Sequence, residues 1–598
     1  MSQYIQNHNV KQVRYFSFSA ELSHSVISQI CLAYLLQFNT SEPLDMNLDV
    51  SSPLAKYAAQ YWIIHAHSGC KNKFQSSSIS ALIMRLLTDE NNAFVNWVRI
   101  YDVDGHVMDL QKQRDKIAKP LYYASLAGLS EASDVLLKMR ADVNAQGGCY
   151  GNALQAASYG GHEAITKLLI QKGADVNAQG GEYGNALQAA SHRGHEAVAK
   201  LLIKEGADVN AQGRTHGNAL QAASYGGHEA IAKLLINKGA DVNAQGGCHG
   251  NALWAASYGG HEVISKLLME NGADVNAQGG RSGNALQAAS HRGHEAVAKL
   301  LMDKEADVNA QGGQFGNALQ AASCGGHEGI GKLLIEKGAN VNAQGGDYGY
   351  ALQAASYEGH KAIAKLLIDK GAHVNAQGGY HGNALQAASH GCHEEITRLL
   401  IDKGADVNAQ GGCHGNALQA ASVQGCVAIA KLLIENGADV HAQGGHFGNA
   451  LQAASYRGHE AVTKLLIEKG ADVCAQGGRF GSALQAASCG GHEGIAKLLI
   501  EKGADVNEQG GDYGYALQAA SYEGHKAIAK LLIDKGAHVN AQGGVFGNAL
   551  QAASRQGHKA IAKLLRERGA DVHVQGGHFG NALQAAPYAG HKAMEIYL

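Results

Sequence analysis

The chain has 598 residues, 45% of them apolar, and a formal net charge of −3. A single globular core is not expected at that length, whereas a stack of repeats has no such ceiling. Near-neutral charge without a long basic run argues against a nucleic-acid-binding or membrane-surface protein.

The opening stretch MSQYIQNHNVKQVRY holds no apolar core of a secretory signal. The most apolar early segment, residues 26–38, is too short to span a bilayer. Ten cysteines are scattered without framework spacing and read as reduced thiols of a cytoplasmic protein. Residues 1–117 carry no repeat and read as a small all-helical segment docked on the first of the repeats beyond it. Leu22, Val26, Ile27, Ile30, Tyr34 and Leu35 mark one amphipathic helix. Ser52 and Pro53 open a second as cap and first residue, with Leu54, Tyr57, Ala58, Tyr61, Trp62 and His65 on one stripe. Residues 80–87 and 93–100 predict two more.

From residue 118 onward one 33-residue phrase recurs. Full copies begin at every 33rd residue from Gly151 to Gly547; a worn copy fills 118–150, and a short one starts at Gly580. A fixed period in this range means a solenoid. Residues 217–249 are a clean copy, GNALQAASYGGHEAIAKLLINKGADVNAQGGCH. Asn218 and Gln221 form the amide version of a capping box on a short first helix, whose Leu220, Ala222 and Ala223 give a close-packing face. Gly226 and Gly227 end it. A second helix starts near His228 and carries Ile231, Leu234 and Leu235. Gly239 supplies the left-handed residue that stops it, and Val242 points back into the stack. Gln245, Gly246 and Gly247 open a hairpin-like finger. Neither helix is long enough to stand alone in water, so each copy buries its apolar face on its neighbours. Arg140 and Glu305 occupy the helix-stopping glycine position, and Tyr350 and Tyr515 replace the capping Asn. These copies are expected to open first.

The period and the words resemble the ankyrin repeat. Lys119-Pro120-Leu121-Tyr122 with Ala124 sits where that family has T-P-L-H-x-A, and GHEAIAKLLINKGADVNA follows its second-helix consensus. The resemblance covers residues 118–598, about four-fifths of the chain. In most copies Asn-Ala-Leu-Gln replaces the T-P-L-H tetrad, so the family's Thr–His bonding is replaced rather than inherited. Before the repeats, YFSFSAELSHSVISQICLAYLLQF, PLAKYAAQYWIIHA and NWVRIYDVDG resemble the linker that follows the NACHT module in fungal NOD-like receptors with ankyrin tails. That resemblance implies a sensor arm whose P-loop NTPase would lie before Met1, as in a truncated paralogue or an incomplete gene model. No G-x-x-x-x-G-K-[ST] occurs; Gly331-Lys332 is followed by Leu333 on a repeat helix.

The copies disagree mainly at the finger tip and at the end of the first helix. In ankyrin proteins these places line the concave, ligand-facing side. The first finger residue changes chemistry freely, as in Glu182, Arg281, Gln314, Asp347, Tyr380, His446 and Arg479, and reads as a partner contact or as merely exposed. The second is aromatic or His in all but one copy, as in Tyr183, His216, His249, Phe315, Tyr348, Phe447 and Phe480. It reads as recognition or as packing between fingers. Trp254, interrupting the Gln column, reads as an anchor or a packing variant. Tyr, His and Arg suit such a surface.

No catalytic residue, cofactor or metal site is expected. His162, His195, His228 and their counterparts recur once per copy, about 10 Å apart, too far to share one ion. They read as structural, bonding turn backbone. Cys248-His249 and Cys413-His414 lie five copies apart. Asp175, Asp208 and Asp241 read as turn residues. The expected whole is an all-α ankyrin-repeat solenoid of about 15 repeats (118–598) behind a helical segment (1–117). Its expected work is non-enzymatic: binding protein partners on the concave face, without nucleic acid, membrane or small-molecule substrate. A passive scaffold and a partner chain of a separate NTPase are the alternatives. The chain end at Leu598 is expected to leave apolar surface uncovered.

Overall fold

The computed structural model describes residues 20–40, 44, 51–69, 73–88, 92–105, 107–578 and 580–588. The expectations for the opening stretch and for the end at Leu598 lie outside these residues. Two compact units result, residues 1–281 and 282–598.

The first unit opens with helices α1 (Ala20–Leu35), α2 (Ala55–Gly69), α3 (Lys73–Leu87) and α4 (Asn92–Ile100). All four were legible as helices, but α2 starts at Ala55 and not at Pro53, and α3 starts at Lys73 and not near residue 80. The buried faces of α1 and α2 match expectation only at Leu35, Ala58 and Trp62. In α1 Val26 and Ile30 are exposed, while Ser25, Ser28, Leu32 and Leu35 are buried. In α2 Leu54, Tyr57 and Tyr61 are exposed, and the buried face is Ala55, Ala58, Ala59, Trp62, Ala66 and Gly69. Small residues win because α1 and α2 pack backbone to backbone. A Cβ on Gly69 would lie 2.6 Å from the Ser25 amide nitrogen, so only glycine fits there. The Trp97 indole of α4 donates to the Ala59 carbonyl at 3.0 Å. Phe94 and Trp97 meet the Tyr123 ring at 5.7 and 5.8 Å. His67 donates to the Ala127 carbonyl at 2.7 Å. These contacts seat the segment on the first copy, whose helix begins at Pro120.

The repeats follow as pairs of helices. In the clean copy the first helix is Ala219–Gly226 and the second Glu229–Asn237. The Asn218 side chain accepts from the Gln221 amide at 2.9 Å, and the Gln221 side chain accepts from the Asn218 amide at 2.6 Å. The capping box is therefore present as read. Gln221 does more than cap. Its Nε2 donates to the carbonyls of Ala244 and Gly250 at 2.8 and 2.7 Å, clamping the finger to the helix start. These are the bonds made here by the Asn-Ala-Leu-Gln tetrad.

Gly227, at φ 77°, closes the first helix in the left-handed region. Ile231, Ala232 and Leu235 are buried, each large aliphatic contributing about 2 kcal/mol of burial. Across copies, His228 donates to the His192 carbonyl at 2.9 Å, and His195 to that of Tyr159 at 2.9 Å. The expected backbone-bonding role of this column holds, with the acceptor in the preceding copy. The Asp175 carboxylate accepts from the Asn177 amide at 2.9 Å, a local turn as read. Asn177 then bridges copies, accepting from the Asp208 amide at 2.8 Å and donating to the Gly206 carbonyl at 3.0 Å.

The second unit repeats this architecture from Ala285–Arg292 to Ala582–Tyr588. Glu305 takes φ 66°, and Arg140 in the first unit takes 65°, the left-handed conformation expected of the glycine they replace. Tyr350 makes no capping hydrogen bond. One cysteine expectation is corrected: Cys392 and Cys426 form a disulfide, with Cα atoms 5.7 Å apart. Their positions in neighbouring copies come within bonding reach, a closeness that sequence spacing does not display. No described helix is long and apolar enough to cross a membrane.

Candidate functional site

The fingers are built by the frame. Each is closed at its base by paired glycine backbones, such as Gly345 with Gly349 and Gly411 with Gly415. Successive fingers then bond to one another through their first tip residue. The amide of Asp347 donates to the Gln314 carbonyl at 2.9 Å, that of Tyr380 to Asp347 at 3.1 Å, and that of Asp512 to Arg479 at 2.9 Å. The backbone of this residue is thus fixed while its side chain stays free to vary.

The side chains sort by tip position. Glu182, Arg281, Asp347, Tyr380, His446 and Arg479 are exposed, Tyr380 by 63%; Gln314 is half-buried. Arg479 Nε lies 3.0 Å from an Asp512 carboxylate oxygen on the next finger. Tyr183, His216, His249, Phe315, Phe447 and Phe480 are buried, and Tyr348 is half-buried.

The buried tips stack with the ring at the end of the first helix, so that rungs from two columns alternate. In the first unit Tyr183 meets His192 at 4.9 Å, His192 meets His216 at 4.4 Å, and Tyr225 meets His249 at 4.4 Å. Trp254 lies within this ladder, buried, 5.8 Å from His249 and 5.0 Å from Tyr258. In the second unit His291 meets Phe315 at 4.3 Å, and Tyr456 meets Phe480 at 4.4 Å. Phe447, Phe480 and Tyr513 form a buried core with Val423 and Cys489. Ring pairs of this kind are worth about 0.5–1.5 kcal/mol beyond the area they bury.

Burial sets the protonation of the histidine rungs. His192, His249, His381 and His414 are pushed down to about 4, desolvation being the largest cause and neighbouring histidines the next. These rings are neutral at pH 7. Burial also pushes the Cys324 and Cys489 thiols up to about 11, so neither is an activated nucleophile.

A cavity of about 450 Å³ opens along this edge in the second unit. It is lined by Gln314, Phe315, Asp347, Tyr348, Tyr357, Tyr380 and His381, five of them residues singled out from the sequence. The Tyr348 hydroxyl donates to the Glu358 carboxylate at 2.7 Å. Among the described residues, one group could hold a metal ion: His381, His390 and His414. Sequence reading weighed His414 only in the pair Cys413-His414, which it set aside, and named neither His381 nor His390 as a metal ligand. The available signal was that copy 382–414 places histidine in both variable columns at once.

A stack of capped helix pairs presenting bonded fingers is an ankyrin-type repeat array. A family model described as "Ankyrin repeats (3 copies)" matches residues 154–246, 221–312, 287–378, 352–444, 443–510 and 484–576. The chain belongs to the ankyrin-repeat family. It is 41% identical over 172 residues to "Azaphilone pigments biosynthesis cluster protein L" of Monascus ruber, covering 26% of this chain and 36% of that protein. The match thus spans about a third of the relative's length. The human ASB11 ankyrin repeat domain is similar at 25% identity and a TM-score of 0.33, covering 37% of this chain and 99% of that one.

Proposed function

We propose that the chain is a protein-binding arm whose exposed finger edge, on the concave side of the repeats, receives a protein partner. The carrying observation is the division of labour at the tips. The second residue is buried in a ring ladder, while the first is bonded through its backbone and varies in chemistry from copy to copy. Such an edge is preorganised, so little ordering cost falls on binding. Arg281, Tyr380, His446 and Arg479 are of types suited to contacts, and the cavity between Gln314 and Tyr380 suits an inserted side chain. The buried tips act here as support rather than as contacts.

The finer reading is a ligand-sensing arm of a fungal NOD-like-receptor-type protein. It rests on the helical segment's resemblance to the linker after a NACHT module, and the fungal source of the relative agrees with it. A cytoplasmic location belongs to the same proposal; the Cys392–Cys426 bond works against it, because disulfides are uncommon there.

The test is affinity capture with the whole chain and with a variant carrying Arg281→Ala, Gln314→Ala and Arg479→Ala. Loss of the captured protein, with an unchanged circular-dichroism spectrum, is expected. Undiminished capture removes the finger edge as the contact surface.

A further inference from the structure

The ladder changes character at one place. His381 is the buried tip of one finger, His390 ends the next first helix, and His414 is the following tip. In the first unit His192 and His216 are followed by Tyr225, which stacks on His249, although His216 Nδ1 also reaches His249 Nε2 at 3.1 Å. Here three successive rungs are imidazoles, with ring centroids 5.1 Å apart for His381–His390 and 4.4 Å for His390–His414. One nitrogen from each lies within 4.8 Å of the other two.

We propose that His381, His390 and His414 form a three-imidazole site for a borderline divalent metal ion, zinc being the best match. Three observations bear on it. First, His381 and His414 are each 8% exposed, yet Nδ1 of His381 and both ring nitrogens of His414 have no hydrogen-bond partner. Buried polar atoms are normally satisfied, and a metal ion would satisfy these. Second, the three ligand atoms come from neighbouring rungs of one ladder and lie within 4.8 Å of one another, so a single ion can reach all of them. Third, His390 is only half-buried, which leaves an entry path; the Gln424 amide that donates to its Nε2 at 3.1 Å has to turn aside when an ion binds there, or present its oxygen to the ring's N–H.

Zinc–nitrogen bonds of about 2.0–2.1 Å place two ligand atoms about 3.4 Å apart, so the rings would close by on the order of 1 Å. Imidazole donors suit zinc, copper and nickel, whereas calcium and magnesium prefer oxygen. Three protein ligands leave a fourth position for water or a partner's side chain. The nearby charged group is Arg457, whose positive charge works against an incoming cation. Nitrogen coordination therefore has to carry the affinity unaided by a carboxylate. The histidines that follow the turn glycine are spaced too widely to share an ion, but these three come from the two other columns and lie close together.

The test uses the full chain without a histidine tag, titrated with zinc alone and with cobalt(II), whose visible bands report a tetrahedral nitrogen set. Expected are one tightly bound equivalent, a rise in melting temperature on adding zinc, and loss of both in His390→Gln. Even an outer partner of a metal-bound histidine typically costs at least about tenfold in affinity, so a ligand loss should exceed that. His249→Gln, in the first unit, serves as the control and should bind as the unaltered chain does. His390 is half-buried, so its variant should fold, as circular dichroism would show. Unchanged affinity and stoichiometry in His390→Gln, or no zinc uptake by the unaltered chain, overturns the proposal.

Discussion

Cys392 stands where other copies have the left-handed turn glycine, and Cys426 stands where the next copy has its backbone-bonding histidine. The two positions touch in other copies of each unit. Gly161 lies against His195, and Gly425 against His459, each 34 residues on. A disulfide of the same 34-residue separation thus substitutes for a glycine–histidine contact.

That substitution has a cost on each side. Cys392 adopts φ 62°, a conformation unfavourable for a residue with a Cβ. Closing a loop of this size stabilises by about 3–4 kcal/mol in the chain-entropy view. Reduction, or Cys426→Ser, should therefore raise hydrogen exchange in copies 382–414 and 415–447 without unfolding distant ones. The double change Cys392→Gly with Cys426→His should recover most of the protection, because it restores the contact used elsewhere. Exchange unchanged by reduction would deny the bond any structural share.

The glutamine clamp predicts a larger effect than capping alone. Gln221→Ala removes a cap and leaves the Ala244 and Gly250 carbonyls without this donor. The combined loss should be about 2–4 kcal/mol, read as faster exchange in finger 244–250. In the opposite direction, Tyr350→Asn restores the missing cap and should gain about 1 kcal/mol. Glu305→Gly should gain somewhat less by relieving its φ of 66°. Thermal melts of the two gain variants that fall below the parent would contradict both assignments.

The histidine rungs predict acid sensitivity. His192, His249, His381 and His414 sit near 4 in the fold, below the ordinary 6.5. The unfolded chain therefore binds more protons between these values, so stability is full above about pH 6.5 and declines as pH falls towards 4. Arg193 lies near His192 and adds to the depression there. Copies whose rungs are Phe447, Phe480 and Phe546 carry no such liability in their fingers. Exchange at pH 5 should rise first around residues 183–258 and 381–414, and His249→Phe should blunt the rise locally. A uniform acid response along the chain would sink the assignment.

Much of the frame was legible from the 33-residue period, because each copy states its cap, its stops and its buried aliphatics in the same register. Asn218, Gly239 and Leu235 could be placed from the sequence for that reason. The clamp by Gln221 was not, since its acceptors lie in the following finger and no local pattern marks them. The buried faces of α1 and α2 were read correctly at Leu35, Ala58 and Trp62 and missed elsewhere, because size, not hydropathy, governs a close helix crossing at Ser25 and Gly69. At the fingers, regularity in the second tip residue carried the packing signal, and variability in the first marked exposure. What remained hidden was the interleaving of two columns, which sets His390 between His381 and His414.

The central functional claim is that a partner rests on the exposed tips. The most direct measurement is a hydrogen-exchange footprint of the captured complex against the free chain. Protection is predicted at the finger edge, around Arg281, Gln314, Asp347, Tyr380 and Arg479, with the exposed surfaces of second helices such as Glu229–Asn237 unchanged. Protection confined to those second helices, with the tips exchanging as before, would contradict it.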